Sequence, residues 1–394
     1  MSIKSALTLF LYRVARNIAP VVRYKSSTFV FRYADVVEVL ERDEDFTIGP
    51  INAVNVERHV GPFLLGLDAG PQLKHEQGVM YGIILREDAH RIQIAARKLA
   101  EKLLDEATAR KSLDLVADFT RIVPLRTVGD YFGVNGAPEA DLLRWNRLIF
   151  WDIFLNLDDD PDLRSRATVA SDEWNKYLLD IIEARAEVAQ RGGRLPNDVI
   201  SRLVSLQGSG KPALDNDGIR RNVSGSYLGG EEPISRVCAH ALFELFKRPK
   251  ALAAARKSSE ENDLKAVRGL ALDALRYKPS NPLLIRYSEE EKYVSASGKR
   301  RKIKAQSKVY AMTQSAMFDP TVFPKPRKIL PDRPLDSYLH FGWGLHICYG
   351  NYINYVIIPE IIMAILRRPE WAPDGDMVYE GTFPDRWPWK LTEG

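Results

Sequence analysis

The patterned stretches of this chain mostly repeat apolar residues at helical spacing. Leu73 to Leu104 keeps that period, with a break expected near Arg86-Glu87-Asp88. Leu113 to Phe132, the aromatic run Leu142 to Leu157, and Ala167 to Gln190 continue it, and Pro196 to Val204 reads as a shorter helix. Asp217 to Lys247 is the longest run. Tyr349 to Arg368 is the last, with Ile353, Val356, Ile357, Glu360, Ile361, Ala364 and Ile365 on one mostly apolar face and Pro359 predicting a kink. Ser27 to Phe31 is rich in β-formers and leads through Tyr33-Ala34-Asp35 into a short amphipathic helix, Val36 to Glu41. Between Ile48 and Leu67, Gly49, Pro50, Gly61, Pro62 and Gly66 predict an irregular loop. Asp158-Asp159-Asp160-Pro161 predicts a turn, and Lys299 to Lys308 a solvated cationic hairpin or a contact for an acidic partner.

Length alone would suggest two or three domains for 394 residues. No repeat or Pro/Gly/Ser-rich linker divides the chain, so one domain over 1–394 is expected. A net charge of +4 is too small to point to nucleic acid. Two cysteines exclude a disulfide framework and indicate a reducing compartment. Ala6-Leu7-Thr8-Leu9-Phe10-Leu11-Tyr12 is cut short by Arg13, well below the roughly 20 apolar residues a spanning helix needs. Arg13 and Arg16, with no small-x-small cleavage site, argue against a secretory signal. A surface helix touching lipid is the lesser reading, and a soluble, cytoplasmic monomer is expected.

The chemistry concentrates in Phe341-Gly342-Trp343-Gly344-Leu345-His346-Ile347-Cys348-Tyr349-Gly350. Glycines let a backbone turn tightly and approach a flat ligand. Cys348 stands where the last helix begins, and free N–H groups and the helix dipole there favour a thiolate. A thiolate in an apolar glycine loop is what an axial sulfur ligand to haem iron requires. Zinc would need about four ligands, and no second Cys/His pair has the spacing. The Gly-Lys-Ser/Thr ending of a phosphate loop is absent. A merely buried cysteine would explain neither the three glycines nor His346.

These ten residues match the haem-binding signature Phe-Gly-x-Gly-x-His-x-Cys-x-Gly at every fixed position, so the chain resembles the cytochromes P-450. The resemblance runs from about Thr28 to the C-terminus. It implies one mainly α domain with a small β region, haem b held between two long helices, and Cys348 as the axial ligand. It also implies a hydrophobic small-molecule substrate and electrons from a separate ferredoxin and ferredoxin reductase, since no such module is fused here. Phe341, Gly342 and Gly350 would line the cofactor, with His346, Arg286 and either Lys74 or His75 as propionate partners. Asp273, Arg276 and Arg333 match the family's buried acid–arginine–arginine group, with aspartate in place of glutamate. The pocket would draw on Phe63 and Leu64, with Val54 and Val56, and on Leu228, Leu283, Leu284, Ile285 and Phe383.

Leu228-Gly229-Gly230-Glu231-Glu232-Pro233 departs from the family. Gly229 and Gly230 fit its small pair and Glu232 its acid. Pro233 replaces the threonine whose hydroxyl helps deliver protons when oxygen is activated. Proline has no such proton, and it removes an N–H from the Gly229 carbonyl. Three ways out remain: Glu232 and water, a substrate hydroxyl, or an oxidant that arrives reduced. The expected activity is a dioxygen-dependent monooxygenase. The alternatives are a peroxygenase or hydroperoxide isomerase, and a non-catalytic haem-binding protein.

Overall fold

The computed structural model describes residues 3–156 and 158–392. It is mainly helical with a small β region, the architecture the resemblance implies. The chain forms two compact units, each assembled from separated segments. One comprises 1–51, 236–374 and 389–394; the other comprises 52–235 and 375–388.

In the first unit, four strands form a sheet. Val21–Tyr24 and Ser27–Val30 make an antiparallel hairpin, and Ser27–Val30 pairs in parallel with Ser307–Ala311. Leu284–Ser288 closes the order antiparallel to Ser307–Ala311. Phe29 and Tyr310 sit opposite each other with stacked rings 4.7 Å apart, a cross-strand aromatic pair that helps fix the register. The predicted short helix extends over Tyr33–Glu41, burying Val36, Val39 and Leu40. Two further helices, Leu264–Leu275 and Asn351–Leu366, pack together, with Gly269 against the Pro331 carbonyl. A Cβ on Gly269 would lie 1.9 Å from that oxygen, so glycine alone permits this approach.

Asp273 holds the irregular stretch after residue 317 in place. Its carboxylate accepts from Arg276 Nε at 2.5 Å, the Leu330 N–H at 2.7 Å and the Tyr338 hydroxyl at 3.1 Å, and pairs with Arg333 Nε at 2.8 Å. Arg276 also donates to the carbonyls of Met317, Pro326 and Lys328, and Arg333 to those of Pro324, Lys325 and Lys328. Asp273 and Arg276 are both 0% exposed, so a solvent-screened surface pair does not describe them.

The second unit centres on a helical pair, Glu139–Phe154 and Pro161–Gln190. The expected end of the aromatic run, Leu157, lies outside the described residues. Asp160 caps the longer helix by accepting from the Asp162 N–H at 2.9 Å, and Pro161 sits in its first turn. Trp174 stacks on Tyr227 at 5.4 Å and lies 5.8 Å from Trp145.

Two expectations are corrected here. Ile48 to Leu67 is not irregular throughout, because Gly49–His59 is a helix. Its glycines and prolines fall at the ends: Pro50 in the first turn needs no N–H partner, and Gly61 adopts φ +90° beyond the C-terminus. Buried His59 ties the helix down, with Nε2 2.6 Å from Asp152 and Nδ1 3.0 Å from the Ser171 hydroxyl. All three side chains are buried and Ser171 also reaches the Thr168 carbonyl, so this trio is a packing device and not an accessible nucleophile. Leu113 to Phe132 is likewise not one α-helix. It is a two-residue strand, a π-helical turn over Leu115–Thr120, and an α-helix over Ile122–Phe132. Asp114 accepts from the Val116 and Ala117 N–H groups and starts the turn where periodicity had predicted continuous helix.

Asp273→Asn removes the charge that compensates a fully buried guanidinium. It should cost about 3–5 kcal/mol of stability, read from urea unfolding midpoints at unchanged slope.

Candidate functional site

In the first unit, the ten-residue motif folds into a loop and a short 3-10 turn, Gly344–His346, followed by the Asn351–Leu366 helix. The helix begins two residues later than its pattern suggests and contains Pro359. Gly342 and Gly344 have φ +76° and +69°. A Cβ on Gly344 would come within 2.4 Å of the Leu40 carbonyl, so the loop can lie on the Tyr33–Glu41 helix only with glycine there. Trp343 fastens the same contact, donating its indole N–H to Glu41 at 2.7 Å. The Cys348 N–H donates to the Phe341 carbonyl at 2.8 Å, closing the loop on itself. Phe341 meets Tyr355 edge-on at 5.3 Å.

Cys348 is half-buried and forms no disulfide. Its sulfur lies 4.0 Å from the Asn354 side-chain nitrogen, a long contact for a sulfur acceptor. Burial pushes the thiol up to about 11, against a smaller opposite pull from a backbone hydrogen bond with Gly350. Without a bound metal, desolvation works against the thiolate expected from the helix dipole. The helix starts three residues downstream, and desolvation outweighs its N–H groups.

Among the described residues, no three His, Cys, Asp or Glu side chains gather to hold a metal ion. A lone sulfur donor in a glycine-bordered loop suits a metal that brings its own equatorial ligands, as haem iron does.

Arg286 is buried on Leu284–Ser288, donating to the Ile285 carbonyl at 3.1 Å, and Leu284 of that strand lies 3.9 Å from a Cβ built on Gly342. His346 Nε2 lies 3.9 Å from Asp43. Leu283, Leu284 and Ile285 are half-buried.

The central helix Asn216–Phe246, which belongs to the second unit as far as Ser235, stays helical through Pro233 and carries Leu228, Gly229, Gly230, Glu232 and Pro233. A Cβ on Gly229 would meet nothing within 4 Å, so the helix is open on that side. Phe63 is buried with its ring against Gly225, Leu64 and Leu228 are buried, and Phe383 packs against Phe150 at 5.5 Å and Trp151 at 6.2 Å. Val56 is buried but Val54 is 69% exposed, out on the surface of its helix. Lys74 and His75 are both exposed, and His75 lies 3.2 Å from the Ala213 carbonyl.

Sequence reasoning passed over Glu231. It is fully buried beside Glu232, and the Asn146 amide donates to its Oε2. Its Oε1 and the Asn146 Oδ1 find no hydrogen-bond partner. Burial, followed by the charge of Glu232, pushes the Glu231 carboxyl well up, and burial raises Glu232 as well. Arg121 and Arg147 pull both down, while Arg147 is itself paired with Asp385 at 2.9 Å and with Glu380. A proton on Glu231 removes the repulsion between adjacent buried carboxylates and supplies a donor beside the orphan amide oxygen. The signal was two consecutive acids in the middle of a helix that is otherwise small and apolar there. Ser235 turns to Thr120, their hydroxyls 3.4 Å apart.

His340, just before the loop, was also passed over. Its Nε2 donates to the Leu272 carbonyl at 2.8 Å and its ring stacks on Tyr338 at 5.4 Å. Burial holds it neutral, lowering it to about 4.

The sequence model of the family described as Cytochrome P450 matches residues 77–381. A putative cytochrome P450 133B2 of Xylella fastidiosa (strain Temecula1) is 27% identical over 299 residues, covering 76% of this chain and 70% of its own. A steroid C26-monooxygenase of Mycolicibacterium smegmatis is 21% identical over 360 residues, covering 91% and 84%. Among solved structures, the ligand-free cytochrome P450 TbtJ1 superposes with a TM-score of 0.82 at 22% identity, covering 98% of each chain. P450BioI bound to an acylated carrier protein gives 0.81 at 19%, covering 98% and 99%. No helix among the described residues is long and apolar enough to cross a membrane.

The unfolded chain takes up a proton on histidine near the ordinary 6.5, but folded His340 does so only near 4. Between those values the unfolded state binds more protons, so stability present above pH 6.5 is lost as pH falls towards 4. His340→Asn keeps a donor but cannot charge. Its thermal midpoint should decline less steeply than that of the wild type between pH 6.5 and 4; equal slopes would remove His340 from the acid response.

Proposed function

The chain belongs to the cytochrome P450 family, and from that premise we propose a haem-thiolate monooxygenase that inserts one oxygen atom of O2 into a hydrophobic small molecule. It is an oxidoreductase and its cofactor is haem b. The finer reading adds a separate ferredoxin and its reductase as electron donors, and one working domain. The two units interleave along the chain, so neither can be excised as a continuous segment.

The observation that carries this proposal is Cys348: a free, half-buried sulfur in a loop that glycine alone can form. Cys348 would hold the haem iron, with Arg286 and His346 as propionate partners on the same unit and Lys74 or His75 as a further one. Bound haem supplies the redox centre at which O2 is activated. Iron coordination would draw the proton off the Cys348 thiol. On the second unit, Phe63, Leu64, Leu228 and Phe383 are the apolar residues that would orient the substrate and exclude water, and Leu283 and Leu284 are the candidates on the first.

Pro233 cannot move a proton, so that work falls to the carboxyls before it. Glu231 stores a proton at its orphan oxygen, Glu232 passes protons inward, and Arg147 and Arg121 keep the pair from being neutralised together. A second reading rests on Pro233 itself: an oxidant such as peroxide arrives already reduced and needs no hydroxyl relay.

Cys348→Ala should abolish the reduced carbon-monoxide band of thiolate-ligated haem, and an unchanged band would overturn the assignment. A panel of hydrophobic substrates, run with ferredoxin, reductase and NAD(P)H or with hydrogen peroxide alone, separates the two readings. The monooxygenase reading expects product only with the electron chain. It also expects Glu232→Gln to slow that turnover about 100-fold or more. Product with peroxide alone, insensitive to Glu232→Gln, would establish the second reading.

A further inference from the structure

The helix Ile3–Ile18 has two apolar faces, and the fold uses one. Its inner face carries Leu9 and Tyr12, packed with Tyr277, Phe318 and Ile329. Arg16 secures that face by donating to the Ser315 carbonyl at 2.7 Å and the Ser315 hydroxyl at 2.9 Å, and Arg32 donates to the Arg16 carbonyl at 2.7 Å. The helix therefore cannot roll over to hide its other side.

That other side carries Leu7, Phe10, Leu11 and Ile18, exposed by 55, 54, 54 and 79%, with half-buried Val14 among them. At about 100° per residue these five positions fall within an arc of about 100°. Tyr24, 63% exposed at the turn of the following hairpin, adds an amphipathic ring. Among the described residues, five of the thirteen large exposed hydrophobics thus lie in the first 24. That clustering is unlike the scattered apolar residues of an ordinary surface.

Charge identifies what covers the stripe. Residues 1–34 contain Lys4, Arg13, Arg16, Arg23, Lys25 and Arg32 and no acid, while the whole chain nets only +4. The remaining 360 residues are therefore net negative, and the chain's cationic excess falls in the segment that carries the exposed stripe. Arg13, Arg23 and Lys25 are exposed. A second copy of this chain would bring like charge against like charge. An anionic bilayer surface offers both an acyl boundary for the leucines and phosphates for the cations. At 16 residues the helix spans about 24 Å, short of a hydrocarbon core, so it lies on a bilayer and does not cross it.

We propose that the outer face of Ile3–Ile18, with the Tyr24–Lys25 turn, docks the protein on anionic phospholipid membranes. The apolar stripe sinks into the headgroup boundary and Arg13, Arg23 and Lys25 meet the phosphates. The surface stands whether or not the enzymatic reading does.

The test is co-sedimentation of the full-length haem-loaded protein, tagged at its C-terminus, with phosphatidylcholine vesicles and with vesicles containing 30% phosphatidylserine. The wild type should sediment with the anionic vesicles at least tenfold more strongly than with the neutral ones, and less as salt rises. Two variants touch only exposed side chains: L7S/F10S/L11S, and R13E/R23E/K25E. Each should lose at least tenfold in partition while its thermal midpoint and reduced carbon-monoxide spectrum stay as in the wild type. Failure of the wild type to sediment with anionic vesicles would overturn the proposal, as would undiminished partition of either variant. So would a dimer on gel filtration that L7S/F10S/L11S abolishes, which would give the stripe to a second copy.

Discussion

The first unit depends on a buried carboxylate. Asp273 sits on a helix with no access to water and holds two guanidiniums, a tyrosine hydroxyl and a backbone N–H at once. Burying so much charge is costly unless each group is satisfied, and here the arginines spend their remaining donors on five carbonyls of the irregular stretch from Met317 to Lys328. That stretch has almost no regular hydrogen bonding of its own, so its course is dictated from the helix. It leads directly into His340 and the cysteine loop, which inherits its position from this network on one side and from the Tyr33–Glu41 helix on the other. The helix that carries Asp273 also makes a close approach at Gly269, which lies against the Pro331 carbonyl.

Burial acts in the same direction on the cysteine loop and on the central helix. Cys348 is raised by desolvation and needs a metal to ionise. Glu231 and Glu232 are raised by desolvation, Glu231 also by the charge of Glu232, while Arg121 and Arg147 pull both down. One helix thus carries two buried acids, both raised by burial, immediately before Pro233.

Much of this was legible in the residues. The loop could be placed because its ten residues match the family's haem-binding signature, and at least one of its glycines answers to sterics, as Gly344 against Leu40 shows. The long helices followed from periodicity to within a few residues, and Asp273, Arg276 and Arg333 come together as the resemblance implied. What escaped was non-local or depended on position within an element. Gly49 and Pro50 look like loop residues until they are seen to occupy a first turn, and His59 holds that helix through partners 93 and 112 residues away. The π-helical turn at Leu115 depends on one aspartate side chain that periodicity does not weigh. Glu231 was hidden because its partner, Asn146, lies 85 residues earlier.

The interleaving of the two units also bears on how the chain is born. The first unit takes residues 389–394 and the second takes residues 375–388, so each is incomplete until the last segment has been made. Neither can close as a finished body on a translating ribosome. The contact of Phe150 with Phe383 and the pairs of Arg147 with Glu380 and Asp385 form only after more than 200 further residues have been added. Closure of both units thus waits on contacts between residues far apart in the chain, the situation in which folding is slow and partly formed states expose apolar surface.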